Sequence, residues 1–86
     1  MRVRIPTPLR AYTDQQKVVE GEGATVSEVL DDLDRRFPGI RFRMVDEQNH
    51  LRQHMKLWIG QEPVTDLTAS VADADEITIM QALSGG

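Results

Sequence analysis

The sequence has no cysteine. That excludes disulfides and thiolate metal sites, and it leaves no side chain able to carry a persulfide or form a thioester as a nucleophile. Histidine is scarce. His50 and His54 lie four apart, but near a turn and the start of a strand, and that spacing brings two ligands to one face only in a helix. No metal site is expected. Long apolar runs are missing too. Met1 to Pro6 contains none, so no signal peptide is expected, and no stretch approaches the ~20 residues of a membrane span. A cytoplasmic protein is the default expectation. There is no surplus of positive charge: the net charge is -4, the arginines are scattered, and Arg41, Arg43 and Arg52 make at most a loose basic rim. Nucleic acid favours a basic patch and is not an expected partner. Eighty-six residues make one domain, too small to enclose both a large substrate pocket and a catalytic apparatus. No nucleophile–base or metal constellation is visible, which argues against a free-standing enzyme.

What is present is a regular alternation of elements. Val3 and Ile5 alternate with Arg2 and Arg4, as in a strand with one buried face. Pro6 and Pro8 confine its continuation to an edge or a bulge. Gln16 to Glu20 reads as a second strand, ending at Gly21 and Gly23, and the two strands suit a hairpin. Thr25-Val26-Ser27-Glu28 fits a capping box. Val26, Val29, Leu30, Leu33 and Phe37 then fall on one helical stripe, and Pro38-Gly39 stops the helix. Acids lead and Arg35 and Arg36 follow, the order that suits the helix dipole. Asp31, Asp32 and Asp34 read as a solvated face. Ile40 to Val45 suits a further helical turn, and Asp46 to Asn49 a loop. His54 to Ile59 reads as a strand, with Met55, Leu57 and Ile59 on one face and Lys56 and Trp58 on the other. A short edge segment surrounds Val64, and Leu67 and Val71 anchor a connection. Asp73-Ala74-Asp75 is a turn without calcium-loop spacing. Glu76 to Met80 is the last strand. A single helix must cover one face of the sheet to bury its stripe, which places Val3, Ile5, Val26, Val29, Leu30, Leu33, Leu57, Ile59, Ile77 and Ile79 in the core.

Two features remain outside that core. Trp58 and Met80 point away from the face carrying Leu57, Ile59, Ile77 and Ile79, which puts them on the open side unless a loop folds over them. Exposed Trp and Met are enriched at interface cores, so they are candidate partner-docking residues. The second feature is the ending, Gln81-Ala82-Leu83-Ser84-Gly85-Gly86. Gly has no Cβ, so such a backbone can pass a narrow channel and bring its terminal carboxylate close to an enzyme. A frayed terminus accounts for the same residues, and the tail alone leaves both readings open.

Ile5-Pro6-Thr7-Pro8-Leu9-Arg10, Gln16-Lys17-Val18, the helix with Phe37-Pro38-Gly39, Leu57-Trp58-Ile59, and Ile77-Thr78-Ile79-Met80 before Ala82-Leu83-Ser84-Gly85-Gly86 together resemble the ThiS/MoaD family of sulfur carriers. The opening and the ending most resemble its CysO-type branch, which supplies sulfur for cysteine synthesis. The resemblance implies an α+β, ubiquitin-like β-grasp: a mixed sheet with one main helix across one face. It implies a domain over 1–80 and a mobile tail over 81–86. It implies no catalytic side chain and no bound cofactor. The Gly86 carboxylate would be adenylated, at the cost of ATP, by a partner related to ubiquitin-activating enzymes and then converted to a thiocarboxylate. Leu83, Ser84 and Gly85 would be the recognised tail. A second partner would accept the sulfur, such as a pyridoxal-phosphate cysteine synthase or the large subunit of molybdopterin synthase; thiamine is a further destination. Two rival readings share these residues: a covalent protein modifier joined through Gly86, and a passive ubiquitin-like binding module.

Overall fold

A computed structural model gives the structure and describes residues 1–82; Leu83, Ser84, Gly85 and Gly86 lie outside the described residues. Five strands and two helices follow in the order β1 (Arg2–Arg4), β2 (Val18–Glu20), α1 (Val26–Arg36), α2 (Ile40–Met44), β3 (Met55–Ile59), β4 (Glu62–Val64) and β5 (Glu76–Gln81). The sheet order is β2-β1-β5-β3-β4. The central pair, β1 and β5, runs parallel with Val3 opposite Ile77, and the other neighbours are antiparallel. This is the mixed, helix-covered β-grasp that the sequence resemblance implies.

Strand alternation decides which side chains meet the helix. Val3, Val19, Leu57, Ile77 and Ile79 turn inward and are buried against Val26, Val29, Leu30 and Leu33 of α1. The helix starts where the capping pattern places it. The Glu28 amide donates to Thr25 Oγ1 at 3.2 Å, and Glu28 Oε1 accepts from the Ala24 amide at 2.8 Å, one residue before the cap. The chain between β2 and α1 runs close to the first helical turn. A Cβ on Gly23 would lie 2.7 Å from the Val29 backbone nitrogen, so only glycine fits there. Asp32 ties the same segment down. Its carboxylate accepts from the Glu22 amide at 3.0 Å and from Arg35 and Arg36.

Several expectations change in detail. The second strand begins at Val18 and not Gln16, although the Lys17 carbonyl still accepts from the Ile5 amide at 2.8 Å. Pro6 and Pro8 open neither an edge strand nor a bulge but a 3-10 turn over Thr7–Leu9, which buries Leu9. Proline's fixed φ suits a first turn that needs no donor. Phe37 caps the C-terminus of α1 at φ -129 and is half-buried, because the chain leaves the helix there. Ile59 is also half-buried, since β3 ends beside the Gly60 turn, beyond the helix. The core gains Leu9, Val19, Ile40, Met44, Val45 and Met55, together with Leu67 and Val71 of the connection before β5.

Leu30 is fully buried, so Leu30→Ala should lower stability by ~2–5 kcal/mol in urea unfolding. Asp32 carries a pH prediction. The Glu22 amide bond, with Arg35 and Arg36 adding to it, holds its carboxyl below the ordinary carboxylate pKa. A depressed folded pKa contributes stability above the unfolded value and loses it as pH falls through the folded one. The denaturation midpoint should therefore fall on acidification below about pH 4. Asp32→Asn should be less stable at neutral pH and show a shallower acid decline; parallel declines would contradict this.

Candidate functional site

The residues nearest the tail are fixed by the end of β5. Gln81 pairs with Met55 on β3, and the Ala82 amide donates to the His54 carbonyl at 2.8 Å. The sheet's hydrogen bonding thus runs past Met80, the expected end of the domain, and holds the chain through Ala82. The working residue expected from the sequence, Gly86, and its neighbours Leu83, Ser84 and Gly85 lie outside the described residues.

Two hollows flank Gln81. One, of about 410 Å³, is lined by Pro8, Leu9, Phe42, Arg43, Arg52 and His54 with Gln81. The other, of about 590 Å³, opens toward the uncovered face of the sheet and includes Arg4, Arg10, Lys17 and Met80. Among the described residues no carboxylate lines either one. The opposite end of the sheet is acidic: a hollow of about 450 Å³ there is lined by Asp73, Asp75 and Glu76.

The uncovered face carries Val18 on β2, Arg2 and Arg4 on β1, Thr78 and Met80 on β5, and Lys56 and Trp58 on β3. Arg4 donates to Glu76 Oε1 at 2.8 Å, and this guanidinium, with Arg2 nearby, holds the Glu76 carboxyl below its usual range. Met80 is 50% exposed and stands opposite Lys56, while Trp58 is half-buried and stands opposite Thr78 and Pro63. Trp58 and Met80 therefore share the open face as diagonal neighbours, but they line separate hollows. Met80 belongs to the one beside Gln81. Trp58 belongs to a groove of about 790 Å³ along β3 and β4 that also takes in Leu51, Pro63 and Leu67.

The rim of Arg41, Arg43 and Arg52 does not form as a unit. Arg41 turns to α1 and pairs with Asp31 at 2.7 Å. Arg43 and Arg52 line instead one hollow beside Gln81 at the end of β5, and Arg10 and Lys17, more than 25 positions away in the chain, line the other. Nothing in local sequence marks that gathering; it follows from the parallel register of β1 and β5. His50 and His54 are exposed, and among the described residues no three potential metal-ligating side chains cluster. Among the same residues no helix is long and apolar enough to cross a membrane.

The sequence model of the ThiS family matches residues 3–86. The sulfur carrier protein CysO of Mycobacterium tuberculosis is 35% identical over 89 residues, covering 98% of this chain and 96% of the relative. A chain in the crystal structure of the Amycolatopsis orientalis BexX/CysO complex superimposes with a TM-score of 0.90 at 41% identity, covering 99% of this chain and 98% of that one. SAMP1 from Haloferax volcanii superimposes with a TM-score of 0.77 at 25% identity, covering 100% and 98%. A ubiquitin-like sheet, one main helix on its inner face and a family match that runs to the final Gly-Gly converge on one assignment: the chain belongs to the ThiS family.

Proposed function

We propose that this chain is a carrier of activated sulfur whose working group is the Gly86 carboxylate. The observation that carries the reading is the 35% identity to a CysO sulfur carrier over nearly the whole of both chains. The family match through residue 86 supports it. The absence of cysteine agrees with it, since sulfur held at a carboxyl terminus needs no thiol side chain.

The chemistry follows from the poor reactivity of a carboxylate. An oxygen of Gly86 attacks the α-phosphorus of ATP and pyrophosphate leaves, giving an acyl-adenylate. A sulfide-level donor then attacks the carbonyl carbon, AMP departs, and a thiocarboxylate remains. Both steps belong to the active site of an adenylating enzyme related to ubiquitin-activating enzymes. ATP is that partner's substrate, which suits a cytoplasmic setting. A second enzyme accepts the sulfur, and the CysO likeness favours a pyridoxal-phosphate cysteine synthase over a molybdopterin synthase. The chain itself contributes a rigid platform and a tail. Leu83, Ser84 and Gly85 are small or unbranched at Cβ and suit a narrow channel. Trp58 and Met80, on the uncovered face, are the apolar residues we assign to docking.

A second reading rests on the likeness to SAMP1, a small archaeal modifier protein, and joins the same Gly86 to protein lysines. Mass spectrometry of the protein isolated from its native host separates the two. A terminal carboxylate with one oxygen replaced by sulfur supports the carrier, and isopeptide conjugates with no thiocarboxylate support the modifier. Trp58→Ala should weaken binding to the activating enzyme by more than ~1 kcal/mol while the chain stays folded; unchanged affinity in calorimetry would remove Trp58 from the docking surface.

A further inference from the structure

The basic residues divide into two groups. Of the ten Lys and Arg, five lie within ion-pair distance of a carboxylate: Arg2 and Arg4 with Glu76, Arg35 and Arg36 with Asp32, and Arg41 with Asp31. Among the described residues the other five make no ion pair: Arg10, Lys17, Arg43, Arg52 and Lys56. All five surround the end of β5. Arg10 and Lys17 line one hollow at Gln81, Arg43 and Arg52 line the other, and Lys56 stands opposite Met80.

The three arginines are anchored without being neutralised. Arg10 Nε donates to the Ile5 carbonyl at 3.1 Å, Arg43 Nε to the Tyr12 hydroxyl at 2.8 Å, and Arg52 Nε to the Phe42 carbonyl at 2.8 Å. Asp46 lies within Coulombic reach of Arg52 but forms no ion pair with it. Each side chain is thus held in place by a neutral acceptor while its charge remains available, the arrangement that lowers the ordering cost of a charged contact.

We propose that these five cations form a collar that docks on an acidic protein surface, the rim of the channel through which the adenylating enzyme takes the tail. The inference rests on the carrier reading above. It adds the chemistry of the partner surface. Four residues beyond Ala82 span at most ~14 Å when extended. An active site that reaches Gly86 must therefore bring the rim of its channel against the residues around Gln81, and those residues are cationic. The chain's overall charge of -4, with Asp73 and Asp75 making no ion pair among the described residues at the far end, gives a dipole that turns the tail end toward an anionic mouth. A long polyanion such as RNA would meet the acidic end as well, so a localised acidic rim fits better.

The test compares two full-length variants that lose the same charge. Lys17→Gln with Lys56→Gln removes two collar cations, neither of which makes a side-chain hydrogen bond or ion pair among the described residues. Arg2→Gln with Arg35→Gln removes two ion-paired cations elsewhere. ATP–pyrophosphate exchange by the organism's adenylating enzyme is measured against carrier concentration at low and high salt. The collar variant should raise KM about tenfold at low salt with kcat unchanged, the gap should close near 1 M salt, and the control should match the unaltered chain. Equal effects in both variants, no effect in the collar variant, or a gap indifferent to salt would overturn the collar. Retention of single-stranded RNA by the unaltered chain, lost in the collar variant, would also overturn it. No exchange with the unaltered chain would instead remove the carrier reading on which the collar stands.

Discussion

The parallel pairing of β1 with β5 is the contact on which the remainder of the molecule depends. Val3 and Ile77 face each other in it, both fully buried, and Leu30 and Leu33 of α1 belong to the same core. The flanking strands are added to this pair, β2 to β1 and β3 to β5, and β4 is added in turn to β3. The Met1 ammonium closes the far end by donating to the Gly21 carbonyl at 3.0 Å and pairing with Glu20. Because the two central strands run in the same direction, the chain leaving β5 emerges beside the chain leaving β1. Pro6, Pro8, Leu9 and Arg10 are thereby placed at the exit of the tail, although more than 70 residues separate them from Gln81 in sequence.

That geometry explains how a protein of net negative charge presents a positive surface where its terminal group departs. Glu20 at the end of β2 and Glu76 at the start of β5 lie at one end of the sheet, where they pair with the N-terminus and with Arg2 and Arg4. On α1, Asp32 pairs with Arg35 and Arg36 and Asp31 pairs with Arg41. The cations left over come from the turn after β1, the residue before β2, the α2 region and the start of β3. Division of labour follows. The helix-covered face provides stability, the uncovered face offers Trp58 and Met80, and the exit end contributes charge.

The elements with strong periodicity were legible in the sequence. The α1 stripe, its Thr25 cap, and the alternations at Val3–Ile5, Met55–Ile59 and Ile77–Ile79 depend on neighbours a few residues away, so local pattern suffices. Leu9, Ile40 and Met44 escaped because a 3-10 turn and a five-residue helix are too short to display a period. Trp58 and Met80 could be placed on one face from alternation alone. Their assignment to separate hollows depends on the β3–β5 register and on where β4 ends, which alternation does not specify. Of the five collar cations only Arg43 and Arg52 were grouped from the sequence; Arg10, Lys17 and Lys56 come near them only through the sheet pairing at the end of β5. Arg41 shows the converse: adjacency to Arg43 in sequence suggested a common rim, yet helical geometry turns it to Asp31.

The central claim is that the Gly86 carboxylate receives the sulfur while the folded domain only carries it. The most direct measurement is the intact mass of the protein after incubation with its adenylating enzyme, ATP and sulfide, alongside a chain lacking Gly86. The account predicts that the full chain gains the mass difference of one sulfur for one oxygen, located at its last residue, and that the shortened chain, equally stable, gains nothing. A full chain that never acquires sulfur, or a shortened chain that serves the cell as well as the intact one, would contradict it.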